Sequence, residues 1–345
     1  MSRTPLFPPP PASAGPAPHG AQEHGWDDHV TVRRLLRALA IAACAPYLSL
    51  KVAWLAGSRI GIPQGSTLLD DDMILKAANA VTVLMDLGVI GLALLLTRPW
   101  GRRIPSWLLL LPMWGATGLL IPVMAGFPAQ LLLRALGVTS AEKPSGAGPF
   151  LAEWVFQVVY GGFIVQGLAL GALFTLYARR RWGHLWQGDT GEAAGALWGR
   201  GQQLAAGAAA LLAVAQAGVH LMWASGSRDG LPPTLAGQYT ADMAVQDAAY
   251  ALYGALAVTG LVLLRRGGRA LPLRGPLLLA GVGSSAVGCW GAWMLAASLL
   301  RLHDGDRAAT GLMMITYSVQ VIVGLLVLAA GARFFSRRAA SEPAS

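Results

Sequence analysis

Eight apolar runs, each long enough to cross a lipid bilayer, set the strongest constraint on how this chain folds. A helix needs ~20 mainly apolar residues to span the hydrocarbon core. Because only 12% of the 345 residues are charged, the composition also fits a chain solvated mainly by lipid. The sequence therefore predicts an all-α integral membrane protein with eight transmembrane helices. The predicted spans cover roughly 35–56, 73–96, 106–124, 150–176, 203–224, 244–264, 276–299 and 310–333.

The basic residues lie in short clusters between the apolar runs and predict the orientation of the chain. With a cytoplasmic N-terminus, the cytoplasmic segments carry 18 Lys and Arg residues and the external loops carry six. The positive-inside rule predicts this bias for an even number of spans. We therefore expect a multi-pass protein of the cell (plasma) membrane with both termini cytoplasmic. The same clustering argues against a nucleic-acid-binding stripe, although the isoelectric point is near 10.1.

A ten-residue segment occurs twice in nearly the same form and indicates an internal duplication. The first copy, WLAGSRIGIP, begins at Trp54, and the second, WASGSRDGLP, begins at Trp223. The parallel continues through the later spans, where Tyr160 and Tyr317 occupy matching positions of the fourth and eighth. The sequence thus predicts a tandem duplication of a four-helix unit. Two such units would be parallel repeats related by a pseudo-twofold axis along the membrane normal.

The repeats and the composition divide the chain into five parts. The first is a Pro-rich, disordered cytoplasmic tail, which has no apolar signal-peptide core. The parts are the tail over 1–32, the first four-helix repeat over 33–181, a cytoplasmic linker over 182–202, the second repeat over 203–338 and a disordered tail over 339–345.

The segment HLMWASGSRDGLP, from His220 to Pro232, resembles a small four-helix bacterial membrane family of unknown function. The first helix of that family ends in a similar H-x-x-W-A-x-G-G pattern. The likeness covers the fifth span and its loop, and the rest of the second half in outline. Ser227 stands where that pattern has its second Gly. In the first half of the chain, Lys51 occupies the position that His220 has in the second half. The resemblance implies a fold and no catalytic role.

The Arg-rich, Lys-poor composition is typical of a GC-rich genome such as an actinobacterial one.

Six ionisable side chains fall within the spans, where burial is costly and each is a candidate functional residue. Asp86 lies nearest the middle of a span, so it must face protein and be either paired or protonated. It is interpreted either as a neutral side chain that joins helices or as a proton-coupling carboxylate. The other five lie closer to the external ends of their spans: Lys51, Lys76, Glu153, His220 and Asp247.

Two polar and aromatic helix faces are the predicted binding surface. Tyr47, Lys51 and Trp54 share one face of the first helix, and the duplication puts Gln216, His220 and Trp223 at matching positions of the fifth. We expect the two faces to line one outward-facing cleft between the halves. In that cleft, Lys51 would pair with Glu153 or Asp247 beside His220.

The two matching external turns add a pair of arginines, Arg59 and Arg228, which are suited to gripping an anionic group. The alternative is that His220 is only a hydrogen-bonded histidine of the bundle and that the other side chains only anchor the helices at the membrane interface. Trp is enriched there, and Lys extends its ammonium to the headgroups at little cost.

Several classes of activity lack their motifs. The chain has no G-x-x-x-x-G-K-[ST], which excludes an ATP-driven motor of that type, and no H-E-x-x-H or G-x-S-x-G. His220 is the only His within a span, which argues against paired haem ligands as in haem A synthase, another eight-helix duplication. No cofactor, metal or catalytic residue is predicted.

The sequence therefore favours a protein that binds or transports a small or lipidic molecule without ATP. A non-catalytic membrane scaffold is the first alternative. A lipid-modifying enzyme is the second, and it would use an external polar cluster of His303, Asp304, Asp306 and Arg307.

Overall fold

The computed structural model describes residues 20–66, 72–138, 151–191, 198–266, 271–300 and 305–341. These residues contain eight helices that are long and apolar enough to cross a membrane, which confirms the predicted helical, multi-pass architecture. Their only strand-like pairing is an isolated bridge between Asp189 and Pro272. The eight helices are α1 (Gly20–Leu55), α2 (Asp72–Thr97), α3 (Ser106–Ala135), α4 (Glu153–Trp182), α5 (Arg200–Ala224), α6 (Ala241–Arg266), α7 (Arg274–Leu300) and α8 (Gly311–Ser341).

Helices α1, α3 and α8 extend furthest beyond the boundaries of their predicted spans. Helix α1 begins at Gly20, within the predicted tail. Helix α3 continues to Ala135 through the apolar sequence AQLLLRA. It contains Pro112, Pro122 and Pro128, which membrane helices tolerate where neighbouring groups satisfy the freed carbonyls. Helix α8 continues to Ser341, into the predicted C-terminal tail. Residues 1–19 and 342–345 of the predicted tails lie outside the described residues.

The same pairs of helices pack together in each half of the chain. Helix α1 packs on α2 and α4, and helix α5 packs on α6 and α8. The halves meet chiefly where α3 packs on α7, and α3 also touches α6. The halves differ in one respect, since α6 packs extensively on α7 whereas α2 barely touches α3. Helix α7 is therefore central to the bundle.

Glycines on α7 and on its neighbours let these helices approach backbone to backbone. A side chain at Gly283 would overlap the backbone of Ala257 on α6, and one at Gly288 would press on Gly324 of α8. On α3, a side chain at Gly118 would overlap the carbonyl of Ser285. In lipid the hydrophobic effect does not drive helices together, so such close van der Waals packing has to do so. Removing these glycines should therefore loosen the bundle.

Two glycines of α3 give a matched test of this packing. We expect Gly118→Ala to lower stability by about 1–3 kcal/mol, because the methyl group would overpack the contact with α7. Gly115→Ala, three residues earlier, has open space at that position and should be neutral or slightly stabilising. Thermal unfolding of both variants in mild detergent measures the difference. Equal melting temperatures would contradict the role of the Gly118 contact.

Candidate functional site

The two repeated segments form the same turn at the ends of α1 and α5. The indole of Trp54 donates a hydrogen bond to the carbonyl of Ile60 over 2.7 Å. The indole of Trp223 donates to the carbonyl of Asp229 over 2.9 Å. Both tryptophan side chains are buried. Each Trp is thus fixed by its own turn, which does more than an aromatic anchor at the membrane surface requires.

Glycines with positive φ make this turn possible in both copies. Gly61 and Gly230 both have a φ of 74°, in the left-handed region that favours Gly. A side chain at Gly61 would collide with Val155 in the first turn of α4, and one at Gly230 would collide with Leu312 in the first turn of α8. In each half, therefore, the turn after the first helix packs on the start of the fourth.

Lys51 lies between two aromatic rings of its own helix. Its ammonium is 4.8 Å from the centre of the Tyr47 ring and 4.9 Å from that of the Trp54 ring, within the range of cation–π attraction. It donates one hydrogen bond, of 2.8 Å, to Oδ1 of Asn79 on α2. This partner differs from the predicted Glu153 or Asp247, since Glu153 is exposed at the start of α4 and Asp247 belongs to another cluster. Within the described residues, Lys51 forms no ion pair with a carboxylate.

The side-chain nitrogen of Asn79 is a hydrogen-bond donor without an acceptor beside Lys51. Its side chain is 1% exposed, and Nδ2 is buried without a hydrogen-bond partner in the described part of the chain. A buried polar group without a partner costs about 1–3 kcal/mol. The Lys51 site therefore combines a positive charge with an amide donor that lacks an acceptor.

His220 lies at the centre of a second polar cluster, within the other half. Its Nδ1 is 2.8 Å from Oδ1 of Asp247, and its Nε2 is 2.8 Å from the side-chain nitrogen of Gln320. Since a carboxylate accepts and an amide nitrogen donates, the neutral ring carries its proton on Nδ1 and accepts at Nε2. Gln320 also donates to Oε1 of Gln216 over 3.3 Å. His220 is 1% exposed, so both ring nitrogens are satisfied inside the protein.

Tyr239 and Arg228 close this cluster at its surface. The Tyr239 hydroxyl donates to the second carboxylate oxygen of Asp247, and the Arg228 guanidinium lies 3.9 Å from the centre of the Tyr239 ring. Burial raises the pKa of Tyr239, and the hydrogen bond to Asp247 raises it further, so the hydroxyl remains a donor. The corresponding Arg59 of the first half is exposed. The two predicted arginines thus have different surroundings.

The two clusters lie in separate halves, each on its own helices. Lys51 joins α1 to α2, whereas His220 joins α5 to α6 and α8. The halves meet through α3 and α7, and α1 is not among the helices that pack extensively on α5. The structure therefore does not bring Lys51 and His220 together in one cleft, because helices without these residues form the contact between halves.

Asp86 and Gln166 form the buried polar pair of the first half. Gln166 Nε2 donates to Asp86 Oδ1 over 3.4 Å, linking α4 to α2. The other atom of each group, Asp86 Oδ2 and Gln166 Oε1, is buried without a partner. A proton on Asp86 would let Oδ2 donate to Oε1 and satisfy both groups. This arrangement favours the interpretation of Asp86 as a neutral side chain that joins helices.

Several residues of these clusters were not predicted from sequence. Asn79, Gln166 and Gln320 are uncharged amides, which lack the high cost of burial that marks an ionisable side chain within a span. Tyr239 lies in the loop before α6, eight residues ahead of Asp247. A search for any hydrogen-bonding side chain within the spans would have found the three amides but not their pairing.

Asparagine at position 86 tests the neutral state of the pair. Asp86→Asn has nearly the shape of a protonated Asp and can exchange two hydrogen bonds with Gln166, so we expect stability near that of the wild type. Asp86→Leu would leave the Gln166 amide unpaired and should cost about 1–3 kcal/mol. Thermal unfolding measures both variants, and infrared spectroscopy should show a protonated carboxyl band in the wild type that Asp86→Asn lacks. An Asn variant as unstable as the Leu variant would contradict the neutral pair.

Comparison of the chain with protein-family models, with curated proteins and with solved structures finds no match. The resemblance of the segment from His220 to Pro232 to a four-helix family therefore stays a prediction. The function has to be argued from the geometry of the two polar clusters.

Proposed function

We propose that this chain is a multi-pass protein of the cell membrane that binds or transports a small or lipidic molecule without ATP. One observation carries the proposal. Lys51, within a membrane-spanning helix, has a positive charge that forms no salt bridge with a carboxylate of the described residues. In the proposed orientation both termini are cytoplasmic, and the Lys51 site lies near the external ends of α1 and α2.

The cost of Lys51 supports a role in binding. A charged side chain in a span is expensive and is normally paired with another protein group or with a ligand. Lys51 is half-buried and directed at Asn79, with its ammonium close to the two rings. A lysine that served only to anchor the helix would extend its ammonium into the headgroups. The inward position therefore favours a bound molecule.

Corresponding contacts support the proposed duplication of a four-helix unit. Lys51 with Asn79, and His220 with Asp247, each link the first helix of a half to its second. One further pair of contacts links the first helix to the fourth. These are the rings of Tyr47 and Phe163, 5.0 Å apart, and the amides of Gln216 and Gln320.

A membrane scaffold is the second candidate, and the His220 cluster favours it. Every polar atom of His220 and Asp247 has a partner within the protein, as expected for a group that holds helices together. We therefore assign His220 to the structure of the second half and Lys51 to binding. For the proposed lipid-modifying enzyme, His303 and Asp304 lie outside the described residues. Among those described, no group of three or more His, Cys, Asp or Glu is placed to hold a metal.

Native mass spectrometry tests the binding function. We expect the wild type, purified in mild detergent, to carry one retained molecule per chain that Lys51→Met loses. Lys76→Met removes an equal charge from an exposed position three residues before Asn79 and should keep the molecule. His220→Leu should lower thermal stability, because Asp247 and Gln320 lose a partner, yet keep the molecule.

Bare protein in all four spectra would contradict binding and favour the scaffold. Loss of the molecule from Lys76→Met as well as from Lys51→Met would mean that general positive charge, rather than the Lys51 site, retains it.

A further inference from the structure

The two polar clusters differ in one chemical respect that indicates what the Lys51 site binds. In the second half, His220 of the first helix is bonded to a carboxylate, that of Asp247. In the first half, Lys51 is bonded to an amide, that of Asn79. Both hydrogen bonds are 2.8 Å long, and each links the first helix of its half to the second. Lys51, the stronger base of the two, therefore has no carboxylate hydrogen-bonded to it among the described residues.

An amide cannot replace a carboxylate beside an ammonium. Asn79 Oδ1 accepts a hydrogen bond from one of the three N–H groups of the Lys51 ammonium, but a neutral amide does not neutralise the charge. Asn79 Nδ2 is itself a donor, and it has no acceptor in the described part of the chain. The site therefore presents a cation and a neutral donor, and its one amide acceptor is already bonded to Lys51.

The aromatic rings satisfy Lys51 only in part. Cation–π attraction to Tyr47 and Trp54 offsets part of the cost of burying the ammonium, and it leaves Nδ2 of Asn79 without a partner. A group with negatively charged oxygens would accept from both Lys51 and Asn79 through charge-assisted hydrogen bonds. A neutral acceptor would satisfy Nδ2 of Asn79 but would leave the charge of Lys51 uncompensated.

We propose that the Lys51 site binds the carboxylate or phosphate group of an anionic molecule, held by Lys51 Nζ and Asn79 Nδ2. This inference rests on the proposed binding function and names its ligand class. Lys51 lies ~6 Å from the end of α1 at Leu55, at the depth where the hydrocarbon core meets the headgroups. The anionic group can thus come from a lipid headgroup or from a soluble molecule.

Asparagine 79 offers a substitution that fills the site from within. Asn79→Asp gives Lys51 the internal carboxylate that His220 has in the other half. We expect its melting temperature without ligand to equal or exceed that of the wild type, and its response to anions to disappear. Lys51→Met should bind anions at least about tenfold more weakly, because a charge-assisted hydrogen bond is lost. Lys76→Met is the matched control and should respond like the wild type.

The experiment measures the melting temperature of delipidated protein against added anions. For the lipid source, phosphatidylglycerol is compared with phosphatidylcholine in mixed micelles. For the soluble source, inorganic phosphate and acetate are compared with chloride at equal ionic strength. A rise with phosphatidylglycerol alone identifies a headgroup, and a rise with phosphate or acetate identifies a soluble anion. Either rise must be absent from Asn79→Asp and Lys51→Met.

Three results would overturn the anionic class. The first is a wild type that responds to none of these probes, and the second is an Asn79→Asp variant that responds as the wild type does. The third is a retained molecule, seen by native mass spectrometry, that depends on Lys51 but has no anionic group. That third result would leave the binding function standing, whereas bare wild-type protein would remove it. If Lys51→Met fails to fold, Asn79→Asp carries the test.

Discussion

Close backbone contact between helices is the constraint on which the rest of this bundle depends. Lipid is as apolar as a leucine side chain, so helices gain little by burying apolar surface against each other. Contacts such as Gly288 with Gly324 and Gly118 with Ser285 replace that gain with dense packing. They also place α7 at the centre, and α3 and α7 between the halves. Because the halves meet there, the polar faces of α1 and α5 remain in separate halves, each packed on its own second and fourth helices.

A second constraint is that each polar atom in a span needs a partner, and the halves meet it differently. In the second half, Asp247 accepts from both His220 and Tyr239, and Gln320 donates to His220. A buried carboxylate with two donors is well stabilised, and the network fixes the tautomer of the imidazole. In the first half, the aromatic rings of Tyr47 and Phe163 replace the paired amides that link the first and fourth helices of the second half. Lys51 is hydrogen-bonded to an amide, whereas His220 is hydrogen-bonded to a carboxylate. Among the described residues, each half keeps a buried amide nitrogen without a partner, Asn79 Nδ2 and Gln216 Nε2. Only Asn79 Nδ2 lies beside a cation that has no salt bridge, and we propose the ligand there.

The sequence was informative about the spans and uninformative about the partners. Apolar length predicts a spanning helix directly, so all eight were placed, and a segment repeated from Trp54 at Trp223 predicted matching turns. The predicted span of α3 is too short because the apolar sequence continues past the proline residues near its predicted end. The predicted partner of Lys51 is wrong, because the prediction paired the ammonium with a carboxylate, whereas the structure pairs it with the amide of Asn79 on the neighbouring helix α2. Which helices separate the halves depends on glycine contacts between distant segments, and no local pattern encodes them.

The two turns show which part of the structure can diverge. Gly61 and Gly230 share one backbone conformation, and Trp54 and Trp223 share one indole hydrogen bond, although the residues around them differ. A turn fixed by glycine dihedrals and by a bond to a carbonyl does not depend on the charge one helical turn away. Lys51 and His220 could therefore change identity without loss of the turn that positions them. Such a turn permits one half to keep an internal carboxylate partner while the other receives an anionic partner from outside, which is the division of roles that we propose for His220 and Lys51.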